Sequence, residues 1–596
     1  MILALLAWWP IAPYWQSDDF LAVTYAHELR RACSDLWGAQ YAAPALAIFY
    51  RPLITLSFAL DGWLAGADPW WSHASNVLAH ATSVLLLALL GRRTLGDREG
   101  IGLAALWALW PAHAGSILWA VGRVDSHTTV WILLSAWATV RWLQDGRGRA
   151  LSLAAFALAL LSKELAFVVP GLVAWLGFAL APAGARLRTA WRTTRPFVWL
   201  FAAYLIWRHA VLGQVVGGYQ GARFDWIASP WGLLTWSARL AAPGLADRSY
   251  GPWLALAFWG FAALAAVRRG RGSAVLCALG CFALCSVPTA VFWHDTAEVK
   301  NLRYFYLPAA GLLALAPLAG RLPTLVLLGA VAWPLWQVRR CYVDAHREAA
   351  RVHALLRAAD TTAPPGRFLV DGLPREDESR RVILFHLFVD RLLLPPFGSG
   401  RSVLALRPLI RRPGVETVPL QQFVGLADCI PISVRDLALP PPSSLPPLRV
   451  EVEGDLHLDS LAMWDLHLRR ARHGLRLVGD RSPFYRLTVL TGGGYVACVL
   501  ANEAPEAADG AVSMGTLFAQ GRYASGGDDA MVVLALEVPA TLDVSTAFPL
   551  LVEGGDRDAE TGQFVPRARA PQMLTLRLDR DYSRWLAGKV EDPRAR

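Results

Sequence analysis

The chain has 596 residues, 55% of them hydrophobic and only 17% charged, with a net charge of +10. Soluble domains average about 25% charged residues, so an ordinary soluble enzyme does not account for the whole sequence. The positive charge is almost all arginine and sits in short loops between apolar runs, with no interleaved basic–aromatic stripe. Topology explains it, and nucleic-acid binding is excluded as its cause.

The apolar excess fills roughly the first 340 residues as runs of about 16–20, the length that crosses a bilayer. Candidate spans fall at 1–15, 76–92, 99–118, 127–143, 149–162, 165–182, 196–212, 251–267, 273–293, 304–320 and 322–338. Met1–Trp15 lacks a basic start and an A-x-A site, so it reads as a short first span, or the remnant of a longer one that begins upstream, rather than a cleaved leader. Placing Arg92-Arg93, Arg147-Arg149, the run Arg186 to Arg195 and Arg268-Arg269-Arg271 in the cytoplasm makes the other loops external. Those loops hold Asp18-Asp19, Gly122 to Asp125, Ser162 to Glu164 and His294 to Arg303; Arg339-Arg340 run against the rule. Within the long first loop, 16–75, the amphipathic stretches Phe20 to Leu36 and Ala43 to Leu64 read as helices. They either lie on the outer membrane surface or pack against other spans.

Past residue 340 the pattern changes. Ala345 to Ala359 predicts an exposed helix, Phe368 to Val370 a strand, and Val382 to Phe388 a strand or helix. The proline-rich stretch Pro440 to Pro447 predicts a stiff linker. Beyond it, Leu475–Val478, Tyr485–Leu490, Tyr495–Leu500, Met531–Val538 and Gln572–Leu578 predict strands. The expected fold is thus a polytopic α-helical membrane domain of about eleven spans over 1–340. A mixed α/β segment follows at 341–439 and a β-rich domain at 448–596, both on the external side. Arginine outnumbers three lysines (Lys163, Lys300, Lys589), a skew typical of a GC-rich bacterial genome. An inner-membrane location is therefore expected. Cys277, Cys281 and Cys285 share one helical face as packing residues, while Cys429 and Cys498 are able to pair only if their domain is external.

Carboxylates at a water–membrane boundary are costly unless they have a task. Asp18 and Asp19, just past the first apolar run, therefore suggest an enzyme acting on a lipid-borne substrate at the membrane face. Four further segments carry a resemblance: Tyr50-Arg51-Pro52-Leu53 with Ser57-Phe58 and His73 to His80; Pro111-Ala112-His113 with Trp119 to Asp125; Leu161-Ser162-Lys163-Glu164; and Arg303 to Pro308. In this order, over about 310 residues, they resemble the membrane region of the transmembrane, tetratricopeptide-containing O-mannosyltransferases, a GT-C type of glycosyltransferase. Trp110 stands where that family has a histidine, and the family's C-terminal repeats are absent, which leaves sugar and acceptor open.

The resemblance implies transfer of a sugar from a polyprenyl-phosphate carrier to an acceptor hydroxyl at the external face, usually with inversion. A hydroxyl needs a base as it attacks, and Asp18 is the candidate, with Asp19 orienting the acceptor or tuning the charge. The departing lipid phosphate needs cationic stabilisation, for which Arg303, Lys163 and Arg123 are candidates and Lys300 a further one. His73, His80 and His113 are expected to bond phosphate or sugar hydroxyls, with Tyr304 beside Arg303. Glu164 and Asp125 anchor sugar hydroxyls or hold the cations. No cofactor is expected, because the lipid-linked sugar is a substrate and no metal constellation is seen, although some GT-C enzymes use a divalent ion. The partners implied are the polyprenyl-phosphate sugar, a protein, lipid or glycan acceptor, and membrane lipids.

Plainer readings stand beside these. Asp18-Asp19 can cap the helix at Phe20. Arg123 with Asp125 can be a solvated turn, and Lys163-Glu164 a tight loop. Arg303 can snorkel to headgroups, and the histidines can be satisfied core residues. A transporter or flippase of lipid-linked glycans, or a non-catalytic scaffold, are the rival functions. Charged motifs at span ends rather than at mid-span favour surface chemistry over transport.

Overall fold

The computed structural model of the chain describes residues 1–42, 47–215, 218–219, 251–288, 303–371, 373–374, 382–385, 388–405 and 429–433, and nine further strands between 449 and 577. They fall into two compact units, 1–357 with 374–398, and 358–373 with 399–596.

The first unit is helical. Its helices are α1 (Ile2–Trp8), α2 (Asp19–Ala26), α3 (Leu29–Ser34), α4 (Pro52–Ala65), α5 (Pro69–Thr94), α6 (Asp97–Ala108), α7 (Ala114–Ile117) and α8 (Arg123–Asp145). They continue with α9 (Arg149–Leu160), α10 (Val169–Leu180), α11 (Arg186–Leu212), α12 (Gly251–Arg268), α13 (Gly272–Ser286), α14 (Ala309–Leu313), α15 (Leu315–Ala319) and α16 (Arg321–Thr362), the last of which ends in the second unit. Prolines open α4 and α5, where a missing N–H costs nothing. Asp68 caps α5 by accepting from the Trp70 amide at 2.9 Å. α5 and α6 meet through glycines: a Cβ on Gly91 would lie 2.7 Å from the Gly100 Cα, so only hydrogen fits there.

The expected apolar runs become helices, but prolines cut several of them. Pro10 follows the end of α1, so 1–15 is not one helix. Trp110, before Pro111, is extended (φ −71°, ψ 119°) and splits 99–118 into α6, a 3₁₀ turn and α7. The run 304–320 is α-helical only after Pro308, with a 3₁₀ turn at 303–305 before it. The expected eleven full spans are therefore not what the helices show. Among the described residues Pro69–Thr94 alone is long and apolar enough to cross a membrane, and six further apolar helices are 10–17 residues long. Large apolar side chains nonetheless face outward on many helices: Leu6 is 70% exposed, Trp63 80%, Ile206 73% and Leu322 73%.

Three other expectations are corrected or decided here. The first-loop helices pack on one face, where Phe20 and Val23 of α2 and Ile54 and Phe58 of α4 are buried, while Leu60, Trp63 and Leu64 of α4 face outward. The helix over 345–359 is not exposed all round, since Ala345, Ala349, Val352 and Leu356 form a buried face at helical spacing. The stretch 382–388 is neither strand nor helix in its described residues. It serves instead as a wall for the N-terminal loop: Leu384 accepts a hydrogen bond from the Ser17 amide at 2.5 Å, and Phe385 stacks on Phe20 with centroids 6.0 Å apart.

The second unit is strand-rich. β3 (Arg367–Asp371), β4 (Val403–Ala405) and β5 (Cys429–Ser433) form a parallel sheet in the order β4-β3-β5; β1 (Ala47–Ile48) and β2 (Gly218–Tyr219) pair separately in the first unit. β6 (Arg449–Asp455), β7 (Leu468–Val478), β10 (Tyr523–Gly526) and β11 (Asp529–Pro539) make an antiparallel sheet in the order β10-β11-β7-β6. β8 (Phe484–Thr491), β9 (Gly494–Ala501), β12 (Ala547–Arg557), β13 (Phe564–Pro566) and β14 (Gln572–Arg577) make another, centred on the β12–β8 pair. Four of the five strands expected beyond the proline-rich stretch fall within these elements, and the fifth, Gln572–Leu578, matches β14 up to Arg577, with Leu578 outside the described residues. The stretch 440–447 lies outside the described residues, as do the side chains of Cys429 and Cys498.

Candidate active site

The carboxylate pair is created by a backbone corner. Ser17 has φ +46°, a left-handed conformation uncommon outside glycine, and it turns the chain into α2. The two aspartates then part company. Asp19 is fully buried, and both its oxygens accept main-chain amides: Oδ2 from Gln16 at 2.9 Å and Oδ1 from Val121 at 2.7 Å. It staples the first loop to the 3₁₀ turn Ala120–Gly122. Asp18 occupies the N-cap position but its side chain caps nothing; it takes one hydrogen bond, from Ser17 Oγ at 3.1 Å, and is half-buried. The capping reading of the pair is thereby overturned. Burial pushes both carboxyls above the usual range. The Arg303 guanidinium partly offsets this at Asp18, whereas the charge of Asp18 adds to it at Asp19.

Arg303 lies over the Trp119 ring at 4.4 Å and the Tyr304 ring at 5.3 Å. Lys163 pairs with Asp125 and stands 5.8 Å from the Tyr304 ring. Burial pulls the Lys163 ammonium below its ordinary value; Asp125 opposes that shift, and Arg51 and Arg303 reinforce it. Four sequence-distant motifs thus converge: Asp18 from the first loop, Asp125 from the start of α8, Lys163 from the turn after α9, and Arg303 with Tyr304 before α14.

Lys163 and Glu164 are more than a tight loop. Glu164 Oε2 accepts from Arg51 Nε at 2.9 Å and Nη2 at 2.7 Å, and Oε1 accepts from Arg208 at 3.2 Å. Arg51 also stacks on Phe49 at 3.7 Å. Sequence reasoning passed over Arg51 as a site residue, although it sits inside a quoted motif. It also passed over Arg208, whose signal was a lone arginine late in an apolar run.

Arg123 is not the solvated turn residue considered above. It begins α8, is fully buried, and uses four N–H groups: Nε to Ala120 O (3.4 Å), Nη1 to Ser57 Oγ (2.9 Å), and Nη2 to Asp61 (2.5 Å) and Ser72 O (3.3 Å). The Phe58 ring covers its face at 3.8 Å. Its neighbour Gly122 is required by close approach, because a Cβ there would press on the Gly115 carbonyl and lie 2.9 Å from the Ser116 Cα. Asp61, a lone charge in apolar α4, was the sequence signal for this pair.

The histidines lie inside the bundle. His73 Nε2 bonds the Tyr14 carbonyl at 3.1 Å; His80 bonds the Tyr306 hydroxyl at 2.7 Å and the Ala108 carbonyl at 3.2 Å. His113 is fully buried among Trp107, His80 and Tyr306. The satisfied-core reading describes His73 and His80. Lys300 lies outside the described residues.

No family model matches the chain. Among curated proteins, the chain is 36% identical over 103 residues to Protein O-mannosyl-transferase TMTC2 of Mus musculus, covering 17% of this chain and 12% of that protein. It is 33% identical over 115 residues to Protein O-mannosyl-transferase TMTC1 of Mus musculus, covering 19% and 12%. The chain therefore spans about an eighth of the length of these relatives. The crystal structure of ArnT from Cupriavidus metallidurans in the apo state gives a TM-score of 0.36 at 14% identity, covering 68% of this chain and 84% of that one. That score is too low to carry a fold argument. The resemblance to membrane O-mannosyltransferases drawn from the motifs is matched by these sequence relatives.

Proposed function

We propose that this chain is a membrane-embedded glycosyltransferase that moves a sugar from a polyprenyl-phosphate carrier to an acceptor hydroxyl at the external membrane face. The observation that carries the reading is Asp18: a half-buried carboxylate, capping nothing, on a corner held by Asp19 and within the field of Arg303. Outward-facing Leu6, Trp63, Ile206 and Leu322 support membrane embedding, since so much exposed apolar surface needs lipid or a partner to cover it. The relatives named O-mannosyl-transferase support the reaction class.

In this reading Asp18 takes the proton from the acceptor hydroxyl as its oxygen bonds to the anomeric carbon. The bond from that carbon to the carrier's phosphate oxygen breaks, and the phosphate leaves with the electron pair. Attack from the face opposite the phosphate inverts the anomeric centre. Arg303 and Lys163 meet the charge that develops on the leaving oxygen, in a site where low water content makes each contact count. Asp125 holds Lys163, and Glu164 holds Arg51 and Arg208, so the cations stay placed while empty of substrate.

The test uses the purified chain in detergent with a panel of undecaprenyl-phosphate sugars, mannose first, and follows loss of sugar from the carrier. Asp18→Asn is expected to lower the rate by about 10²–10⁴-fold with melting unchanged. An Asp18→Asn chain as active as the parent ends the proposal. The external face is checked with Cys33, which is exposed on α3. A membrane-impermeant maleimide added to intact cells should label it, with Cys33→Ser as the control.

A further inference from the structure

A cavity of about 440 Å³ opens between α1, α4, α5 and α8, within the size range of small-molecule sites. Trp9, Trp70, Trp71 and Trp131 line it, and Trp9 and Trp71 are exposed at its rim. The Trp9 and Trp70 rings meet edge-on with centroids 5.9 Å apart, and Trp70 meets Trp71 in the same way at 5.3 Å. Leucine, valine and alanine side chains make most of the remaining wall. Tryptophans that combine exposure with apolar neighbours suit the headgroup level of a bilayer. Besides the indoles, four polar side chains reach the cavity: Asp61, Ser75, Thr82 and His127. Among the described residues no lysine or arginine lines it.

Two of these polar groups have bonding capacity left. Asp61 Oδ2 accepts from Ser72 Oγ at 2.7 Å and from Arg123 Nη2 at 2.5 Å, while Oδ1 has no hydrogen-bond partner among the described residues. His127 spends Nε2 on Ser75 Oγ at 3.1 Å, and its Nδ1 has no partner among them. Thr82 differs, since its hydroxyl donates to the Leu78 carbonyl at 2.8 Å. Ser72 and Ser75 lie three residues apart on α5, so their Cβ atoms are about 5–6 Å apart. One serine holds Asp61 and the other holds His127, which sets the spare oxygen and the spare nitrogen about a helical turn apart on one cavity. A carboxylate oxygen needs a donor, and a neutral imidazole nitrogen donates or accepts. Neighbouring hydroxyls on one small head meet both. An anionic head does not, because Asp61 repels it and Arg123 already uses four N–H groups on protein acceptors. A cationic head gains little, because Arg123 already balances the Asp61 charge.

We infer that this cavity is a second binding site, for a neutral membrane lipid with a polyol head. Adjacent head hydroxyls bond Asp61 Oδ1 and His127 Nδ1, and the hydrocarbon lies among the tryptophans. The Arg123 cluster stands between this site and the candidate base: Arg123 Nε bonds the Ala120 carbonyl, and the next residue, Val121, holds Asp19. The inference rests on the membrane-embedded half of the reading above and not on sugar transfer. To test it, the purified full chain in phosphatidylcholine nanodiscs is irradiated with a monoacylglycerol whose chain carries a diazirine. Unmodified monoacylglycerol should compete for the label at a concentration at least about three-fold lower than the methyl ester of the same fatty acid, which has no hydroxyl. His127→Phe should weaken competition by monoacylglycerol about three- to ten-fold, the range of one neutral hydrogen bond, and leave the methyl ester unchanged. Ala79→Phe puts a ring into the cavity from a half-buried position and should abolish saturable labelling with melting unchanged. A wild type without saturable labelling overturns the inference alone, as does a methyl ester that competes equally well. Undecaprenyl phosphate that competes as well as monoacylglycerol also overturns it, by making the cavity part of the carrier's groove. So does a His127→Phe or Ala79→Phe chain that binds like wild type. The wild-type competition decides even where a variant fails to fold. A chain that stays soluble and monomeric without detergent brings down the membrane reading, and this inference with it.

Discussion

Two ionic clusters lie within one helical unit and differ in how much of their bonding capacity is already spent. Around Arg123, four of the five N–H groups of a guanidinium are used on protein acceptors, and an aromatic ring covers the face. Around Asp18, a carboxylate with about four acceptor sites receives one hydrogen bond from its own neighbour. Burial differs as well, since Arg123 is fully buried and Asp18 half-buried. The difference is vacancy: a saturated cluster fixes helices, and an unsaturated one can take a ligand without breaking anything.

That contrast can be broken at four points. The largest effect belongs to the saturated cluster. Arg123→Leu leaves Asp61 without its cation, holding only the Ser72 hydroxyl, and is expected to cost about 3–5 kcal/mol, read as a drop in melting temperature and in detergent-soluble yield. An unchanged melt would show that the cluster is not structural. Next, Arg303→Ala should reduce transfer by about 10²–10³-fold while the melt stays close to wild type. A stability loss as large as that of Arg123→Leu would place Arg303 with the saturated group. Asp19→Asn turns an amide NH₂ toward one of two main-chain N–H donors, for about 1–3 kcal/mol of destabilisation, measured by thermal melting. A neutral result there would mean that the staple to Val121 carries no load.

The smallest effect is a shift in pH dependence. In its proposed role as base Asp18 must be ionised, and burial raises its carboxyl above the ordinary aspartate value of about 3.9. Transfer should therefore decline as pH falls through that raised value. Arg303 pulls the same carboxyl down, so the residual activity of Arg303→Ala should show its acid limb at higher pH than wild type. A limb that stays in place would separate Arg303 from Asp18.

Much of the helical unit was legible because apolar runs and helix-starting prolines are local signals. The aspartate pair, the lysine of 161–164 and the arginine of 303–308 stood out for the same reason: charge is conspicuous in an apolar sequence. The division of labour between Asp18 and Asp19 was not legible. It depends on the Val121 amide, 102 residues away, which no spacing rule reaches. Arg123 looked like a ligand group because its four acceptors come from three separate stretches of chain. Its partner Asp61 was visible as the one charge in α4, and Arg208 as the one arginine in the apolar second half of α11, both of which deserve a partner on energetic grounds. Helix lengths failed where proline stood inside an apolar window, at Pro10, Pro111 and Pro308.

The hydrogen bond from Ser17 to Leu384, with Phe385 stacked on Phe20, has a practical consequence for anyone dissecting this protein. Cutting after the last expected span, near residue 340 and so inside α16, looks like a clean way to isolate the apolar half. It would instead strip the outer brace from the turn that presents Asp18, and leave Phe20 bare. A fragment designed by hydropathy would thus fail a transfer assay for mechanical reasons, and only one that keeps residues through 398 offers a fair trial of the proposed activity.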